Sequence, residues 1–600
     1  ISACLVGSEM CIRDRPREAR KRLRASYTFL RMVEHRLQMR NDEQTQMLPR
    51  DGSDLEDFAL WCGFAGAKAF KREFAARTAE VRSEAQKAFG AREAPAQEAA
   101  TSFTKQGLAE IGFRRPAETL RVITGFAAPP RQATARALRA RRALAALLPD
   151  LVPAFAATDD PDAAVAAFDR SFDRMAAPTE LFSILTESEK LRRLFASLLG
   201  SAPRIAEAIV QRPHLIDSFM DVRALAEAQT PRRVESRIGA RVAAASSYEE
   251  ALDLLRDAGR EEWFLAGARF LGGGFDGETL GAAYTAVAEA SLRVALQITE
   301  QAFAEAHGKV PSSRLAVLAL GRLGSREMTA TSDLDLIVVY DLPEDAATSG
   351  GKRPLDPVLY FSRLTHRLIT SISTPTSHGR LYDIDMRLRP SGGKGPVALP
   401  LSAFSDYQRR QAETWEHLAL TRARPVAGEP GLARQLASTV KRIVSLERDP
   451  ARLAREVKAM RRLLASEKGD DDLGDLKNMR GGLVDIDFCA QFLVLAHAAR
   501  HPSLVSPSVA ASLEAAGARG LIEKSQALTL IKARSLYTEL LQRERLRSTE
   551  ARPATWNDAS VTGVIARNLR YASASALKRE VEALRGEVGE VHRQVVRPRA

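Results

Sequence analysis

The stretch that most constrains this chain runs from Leu315 to Asp341. It opens Leu315-Ala-Val-Leu-Ala-Leu-Gly-Arg-Leu-Gly-Ser325 and closes Ser332-Asp-Leu-Asp-Leu-Ile-Val-Val-Tyr-Asp341. Leu315–Leu320 is a short apolar run ended by glycine, the pattern of a buried strand. Leu334–Tyr340 is a second such run, with Asp333 and Asp335 at its mouth. Residues i and i+2 of a strand project to one side, so the two carboxylates stand together where burial begins. Like charges so placed repel unless a cation sits between them. Mg2+ is commonly held by one or two carboxylates plus substrate phosphates. Gly324 and Ser325 supply a turn whose backbone N–H groups a phosphate can approach closely. Strand, Gly-Ser turn, Asp-x-Asp and strand predict a nucleotide site. The bland alternative is a polar turn ahead of an ordinary strand.

A later segment lends weight to the first reading. Leu381-Tyr-Asp-Ile-Asp-Met-Arg-Leu-Arg-Pro390 alternates apolar and charged residues, as a half-buried strand does. Asp383, Asp385, Arg387 and Arg389 then share one face. A third carboxylate beside two arginines offers charge for Mg2+ and cations for a triphosphate. Lys394, in the following Ser391-Gly-Gly-Lys-Gly395, either reaches a phosphate or solvates the loop. Residues 402–425 read as one helix and its exit, with Tyr407, Trp415, Glu416, Arg422 and Arg424 as candidate nucleotide contacts. The alternative there is core packing for Trp415 and a surface place for the others.

The wording of these motifs resembles a known family. Gly324-Ser325 followed by Asp333-x-Asp335 and a later strand carboxylate is similar to the nucleotidyltransferase superfamily. Leu320-Gly-Arg-Leu-Gly-Ser-Arg-Glu327, Gly379–Gly392 and Thr414–Gly428 resemble the bifunctional glutamine synthetase adenylyltransferase/adenylyl-removing enzymes, over nearly the whole chain after residue 16. The resemblance implies a mostly α chain with one α/β nucleotidyltransferase domain, a small mixed sheet, between helical bundles. It implies AMP transfer from ATP to a tyrosine of glutamine synthetase. Asp333, Asp335 and Asp385 would hold Mg2+, with Asp385 favoured over Asp383 by the family pattern. Gly324, Ser325, Arg387, Arg389 and Lys394 would bind nucleotide. Glutamine synthetase, the signal-transduction protein PII and glutamine as effector are the implied partners. The family also places a second, AMP-removing catalytic head ahead of a helical bundle, upstream of residue 16.

Six hundred residues exceed what one core supports, so several domains are expected. The expected division is 1–15, 16–95, 96–225, 226–430 and 431–600. Ile1–Arg15 reads unlike the remainder and is set aside as a foreign segment. Residues 16–95 are the tail of a first half, 96–225 a helical linker, 226–430 the catalytic domain and 431–600 a regulatory bundle. A faint echo between Tyr27-Thr-Phe-Leu and Tyr537-Thr-Glu-Leu suggests duplication. Net charge is +13, but the arginines alternate with glutamates along helices and form no basic track with aromatics, so no nucleic-acid partner is expected. No apolar run approaches membrane-spanning length. Cys4, Cys11, Cys62 and Cys489 lack metal spacing and read as reduced thiols in a cytoplasmic protein.

Along the helical regions, Phe29, Leu30, Val33 and Leu37 mark one amphipathic stripe, Leu292, Leu296 and Phe303 another, and Phe361, Leu364, Leu368 and Ile372 a third. Pro153, Pro161, Pro178, Pro203 and Pro213 read as punctuation near helix ends, and Ser201 as a cap. Two decoys remain. Asp485 and Asp487 copy the Asp-x-Asp spacing without a Gly-Ser strand before them, which favours structural capping. His497 and His501 stand four apart with no third ligand. The rival functions are a uridylyltransferase-like enzyme using UTP, a nucleic-acid-modifying nucleotidyltransferase, and a non-catalytic scaffold.

Overall fold

The computed structural model describes residues 17–41, 48–49, 52–89, 103–127, 135–172, 174–175, 177–220, 230–547 and 559–597. The segment 1–15 lies outside them, as do Cys4 and Cys11. The chain divides into two compact units, Ile1–Glu98 and Ala99–Ala600.

The first unit contains three helices, α1 (Arg17–Asn41), α2 (Ser53–Trp61) and α3 (Ala67–Phe89). Val33 and Leu37 of the predicted stripe are buried with Leu55, Phe58 and Phe70. The Phe70 ring meets Phe58 and Phe64 edge-on, at centroid distances of 5.7 and 5.5 Å.

The second unit is mostly helical and carries one five-stranded sheet. Its strands are β1 (Arg314–Ala319), β2 (Leu334–Asp341), β3 (Ile384–Asp385), β4 (Ala398–Pro400) and β5 (Arg424–Gly428). β1 lies antiparallel between β2 and β5. β3 and β4 run parallel to β2, one beside its start and the other beside its end. The sheet is mixed and small, as expected. Its central strands are apolar on both faces because both faces are covered. Leu315, Val317, Leu334, Leu336 and Val338 join the core of the helices that precede the sheet. Ala316, Leu318, Ile337 and Val339 join the core of the helices that follow it. The sheet is thus the partition between two helical masses within one compact unit.

Two long helices, α4 (Tyr248–Leu271) and α5 (Gly277–His307), back the first face. Asp276 caps α5, accepting from the Thr279 N–H at 2.8 Å. Gly308 ends it with φ +69°, and a Cβ there would meet the Gly351 nitrogen at 2.3 Å, so glycine is required. The expected stripes on α5 and on α7 (Pro357–Ser373, after the short α6 described below) are buried. Residues 402–425 are not one helix. They form α8 (Leu401–Arg410), α9 (Thr414–Leu420) and the start of β5. Pro153 lies inside the helix Ala135–Ala156, whereas Pro161, Pro178 and Pro203 begin helices. Ser201 does not cap the following helix; its hydroxyl accepts from the Asp159 N–H.

Candidate functional site

The Gly-Ser pair closes a five-residue helix, α6 (Gly321–Ser325), rather than an open turn. Chain direction must reverse between β1 and β2, and α6 does this tightly. A Cβ on Gly321 would lie 1.9 Å from Asp335 Oδ2, and Gly321 has φ +54°. A Cβ on Gly324 would lie 2.2 Å from the Arg422 carbonyl oxygen. Gly321 therefore lets the Asp335 carboxylate rest against the helix start, and Gly324 lets the chain before β5 pass behind. The sequence marks both Gly321 and Gly324 as ending the apolar run, but its reading gives only Gly324 a site role. The Ser325 hydroxyl is engaged inside the protein, bonding the Gly321 carbonyl at 3.2 Å and the Glu327 carboxylate at 3.0 Å.

Asp333 is exposed at the mouth of β2 and Asp335 is half-buried two residues on. Parallel pairing of β2 with β3 sets Asp335 opposite Asp385. The third carboxylate is delivered by a two-residue strand, not by a long alternating one. The chain turns at once because Asp385 accepts from the Arg387 N–H at 2.8 Å. The Arg389 guanidinium then bonds the carbonyls of Met386, Gly393 and Gly395. The expected shared face of Asp383, Asp385, Arg387 and Arg389 is thereby broken up. Asp383 pairs with Arg380, Arg389 holds its own loop, and Arg387 closes on Asp385. Lys394 is exposed on a 3-10 turn, Gly392–Lys394.

The carboxylates perturb one another. Burial, then Asp333 and Asp385, push Asp335 up to about 6. The hydrogen bonds from Arg387 hold Asp385 below the usual carboxylate range. The Asp335 side chain accepts no hydrogen bond among the described residues. Crowded, unpartnered carboxylate oxygens suit a hard dication. No three ligating side chains converge tightly enough to cage an ion among the described residues, and Asp385 is ion-paired with Arg387.

Around this group, Trp415 is 39% exposed and Glu416 is buried, its carboxylate accepting from the Glu413 N–H at 2.8 Å. This reverses the places that the packing alternative gave Trp415 and Glu416. Arg424 bonds the carbonyls at the end of α6 and pairs with Glu289, so it anchors the helix. Arg422 pairs with Asp487 at 2.9 Å. The decoy aspartates prove to be structural. Asp485, near the start of α10 (Leu483–His497), pairs with Arg461 and accepts from the Gly481 N–H at 2.6 Å. Asp487 also pairs with Arg534 of α11 (Lys524–Arg547), which in turn pairs with Glu327. Burial alone would raise Asp487, but Arg422, Arg534 and Arg322 hold it low. A chain of ion pairs so runs from α11 to the residue that bonds Ser325. A cavity of about 580 Å³ lies elsewhere, at the other end of the sheet, beside Lys309, Arg314, Leu315 and Gly428.

Residues 192–439 match the family described as glutamate-ammonia ligase adenylyltransferase. The chain is 37% identical over 588 residues to a bifunctional glutamine synthetase adenylyltransferase/adenylyl-removing enzyme of Bradyrhizobium diazoefficiens, covering 96% of this chain and 59% of that protein. Over nearly its whole length the chain is similar to glutamine synthetase adenylyltransferases. Enzymes of the same name from Rhodopseudomonas palustris and Xanthobacter autotrophicus are 38% and 39% identical, each over 88% of this chain and 54% of their own length. The chain thus spans little more than half the length of these adenylyltransferase relatives. A second family, described as GlnD PII-uridylyltransferase, matches residues 15–89 and 454–596. The two segments that echo each other at Tyr27 and Tyr537 fall in the matches to that one description. Asp333, Asp335 and Asp385 all lie inside the adenylyltransferase match.

Proposed function

We propose that this chain transfers AMP from ATP to a tyrosine of glutamine synthetase. The observation that carries the reading is Asp333 and Asp335 at the start of β2, with the parallel strand β3 setting Asp385 opposite Asp335 and α6 alongside. Asp333 and Asp335 would hold Mg2+, with Asp385 as the third carboxylate, and the metal would supply the positive charge that a departing pyrophosphate needs. The chain's own residues do the rest by position and charge, which dominate this class of reaction. An acceptor phenol has an ordinary pKa of about 10, so the metal or a carboxylate such as Asp385 must help remove its proton as oxygen attacks. The phenol oxygen then bonds to the α-phosphorus, the bond to the β-phosphate oxygen breaks, and pyrophosphate leaves. Arg387, 84% exposed in its side chain, is free to swing from Asp385 to a phosphate. Gly324 and Ser325 shape the phosphate side through α6, and Lys394 stands on the open rim.

PII and glutamine are proposed as regulators acting through the helical segments 16–95 and 431–600; the similarity of 15–89 and 454–596 to a PII-uridylyltransferase family supports this. The full chain, α-labelled ATP, Mg2+ and glutamine synthetase test the proposal. Label on a glutamine synthetase tyrosine is the expected result. ATP bound with no label transferred to that protein, even with PII and glutamine present, would refute the acceptor.

A further inference from the structure

β3 is only Ile384–Asp385, too short a strand to fix its own place. The Leu334 N–H donates to the Asp383 carbonyl at 2.9 Å, and little else of the ladder holds it. What sets Asp385 opposite Asp335 therefore lies in the chain that leads up to it. That chain leaves α7 at Ser373 and passes through a tight hairpin. The Thr376 N–H donates to the Gly379 carbonyl at 3.0 Å, and the Gly379 N–H returns to the Thr376 carbonyl at 2.8 Å. Gly379 makes the turn with φ +78°.

One stripe of α4 holds this hairpin. Asp253, Arg256, Asp257 and Arg260 fall at i, i+3, i+4 and i+7, one face of a helix. Pro375 has no N–H, so the Ser371 carbonyl lacks the donor that would continue α7. The buried Arg256 guanidinium supplies it, donating to Ser371 at 3.1 Å and to the Thr374 carbonyl at 3.3 Å. Arg260 donates to the Arg380 carbonyl at 3.3 Å. The Thr376 hydroxyl donates to Asp253 at 3.2 Å, and the His378 ring meets Asp257 at 2.9 Å. Arg212, just past the helix Pro203–Gln211, bonds the His378 carbonyl and pairs with Asp257 at 3.6 Å. Arginines thus hold the carbonyls of Ser371, Thr374, His378 and Arg380. Leu381 then lies so close to α4 that a Cβ on Gly259 would meet its Cδ2 at 3.0 Å. Only residues 381–384 separate the last of these bonds from Asp385.

We infer that Arg212, Arg256 and Arg260 are positioning residues for Asp385: they clamp the hairpin after α7, and the hairpin delivers the third carboxylate to Asp335. This rests on the nucleotidyl-transfer reading and makes the helices before the sheet part of the active site's support. The clamp acts through the backbone it holds. A helix that shifts against this hairpin carries Asp385 with it, while Asp333 and Asp335 keep their place on β2.

The test uses the full chain and its Arg256→Met, Arg260→Met and Arg260→Lys variants, each alone and combined with Asp385→Asn. AMP transfer from labelled ATP to glutamine synthetase is measured beside hydrogen exchange of Leu334 and residues 381–386. Arg256→Met and Arg260→Met are expected to slow transfer about 10- to 100-fold, the scale of a small misplacement of a reacting group. Exchange quickens at those amides and stays as in the parent along β1. Arg260→Lys recovers most of the transfer, because one ammonium suffices for a single carbonyl. In the Asp385→Asn background the Met variants cost nothing further. Arg256 is buried, so Arg260→Met carries the test if Arg256→Met fails to fold. Losses that add to that of Asp385→Asn overturn the inference, as does transfer unmoved in the folded Met variants. If the parent labels no glutamine synthetase, the nucleotidyl-transfer reading fails and exchange decides alone. Faster exchange at 381–386 then upholds the clamp, and unchanged exchange overturns it.

Discussion

Asp335→Asn should make the protein more stable while removing its proposed chemistry. The Asp335 carboxyl moves from an ordinary 3.8 to about 6 on folding, through burial first and then Asp333 and Asp385. A carboxyl whose folded pKa lies above its unfolded one contributes stability that is fully present below about pH 4 and is lost as pH rises through about 6. At about 1.4 kcal/mol per pH unit, the charged Asp335 costs the native state ~3 kcal/mol above that range. Asparagine keeps the shape and removes the charge. For the unit Ala99–Ala600, an unfolding entropy of about 2.1 cal/mol/K per residue turns this into a rise of roughly 3 °C in Tm. Thermal unfolding without divalent cations, at pH 4.5 to 8, should show the gain growing from about a third of its full size at the acid end to a plateau above about pH 6. Added Mg2+ should raise the parent's Tm and leave the variant's unchanged. A variant no more stable than the parent at pH 8, or a gain independent of pH, would refute the electrostatic account of this site.

Asp333→Ala and Asp335→Ala should each lower AMP transfer on the order of 10²–10³-fold or more with the circular dichroism spectrum unchanged; retained transfer by either would dismiss the site. Gly321→Ala drives a methyl into the Asp335 carboxylate, so transfer should fall while a titration still finds ATP bound. Gly324→Ala meets backbone at Arg422 instead, and its expected effect is a stability loss of about 1–3 kcal/mol, read by urea unfolding. Arg534→Met strands Glu327 and Asp487 in a site where Arg534 is only 8% exposed; a loss of about 3–5 kcal/mol is expected, and Arg534→Lys should restore only part because one ammonium cannot fork to two carboxylates.

Much of the site was legible because it obeys local rules. Asp333 and Asp335 follow from a two-residue period at the edge of an apolar run, and both neighbouring strands formed where the apolar residues cluster. Helix stripes at Leu292–Phe303 and Phe361–Ile372 were equally local. The reading failed where side chains chose partners distant in sequence or turned the backbone. Alternation across 381–390 implied a strand, but Arg387 and Arg389 bond carbonyls and a carboxylate within the same loop, leaving two residues of β3. Trp415 and Glu416 exchanged roles because a capping bond to Glu413 buries the acid. The Asp-x-Asp at 485–487 could be recognised as a decoy only from what precedes it, and its arginine partners come from as far as Arg534.

What the sequence determined by itself was a family resemblance, a mixed α/β core among helices, and the carboxylates that face its first strand turn. Those depend on spacing within a few residues. What only the tertiary structure decided is which charges remain unpaired. Pairing Asp335 with Asp385 needs a parallel strand returning after α7, and bringing Asp487 to Arg422 needs the later helices packed on the opposite face of the sheet. Electrostatic pairing acts through space, so the charges left available for a substrate appear only when the whole chain is folded.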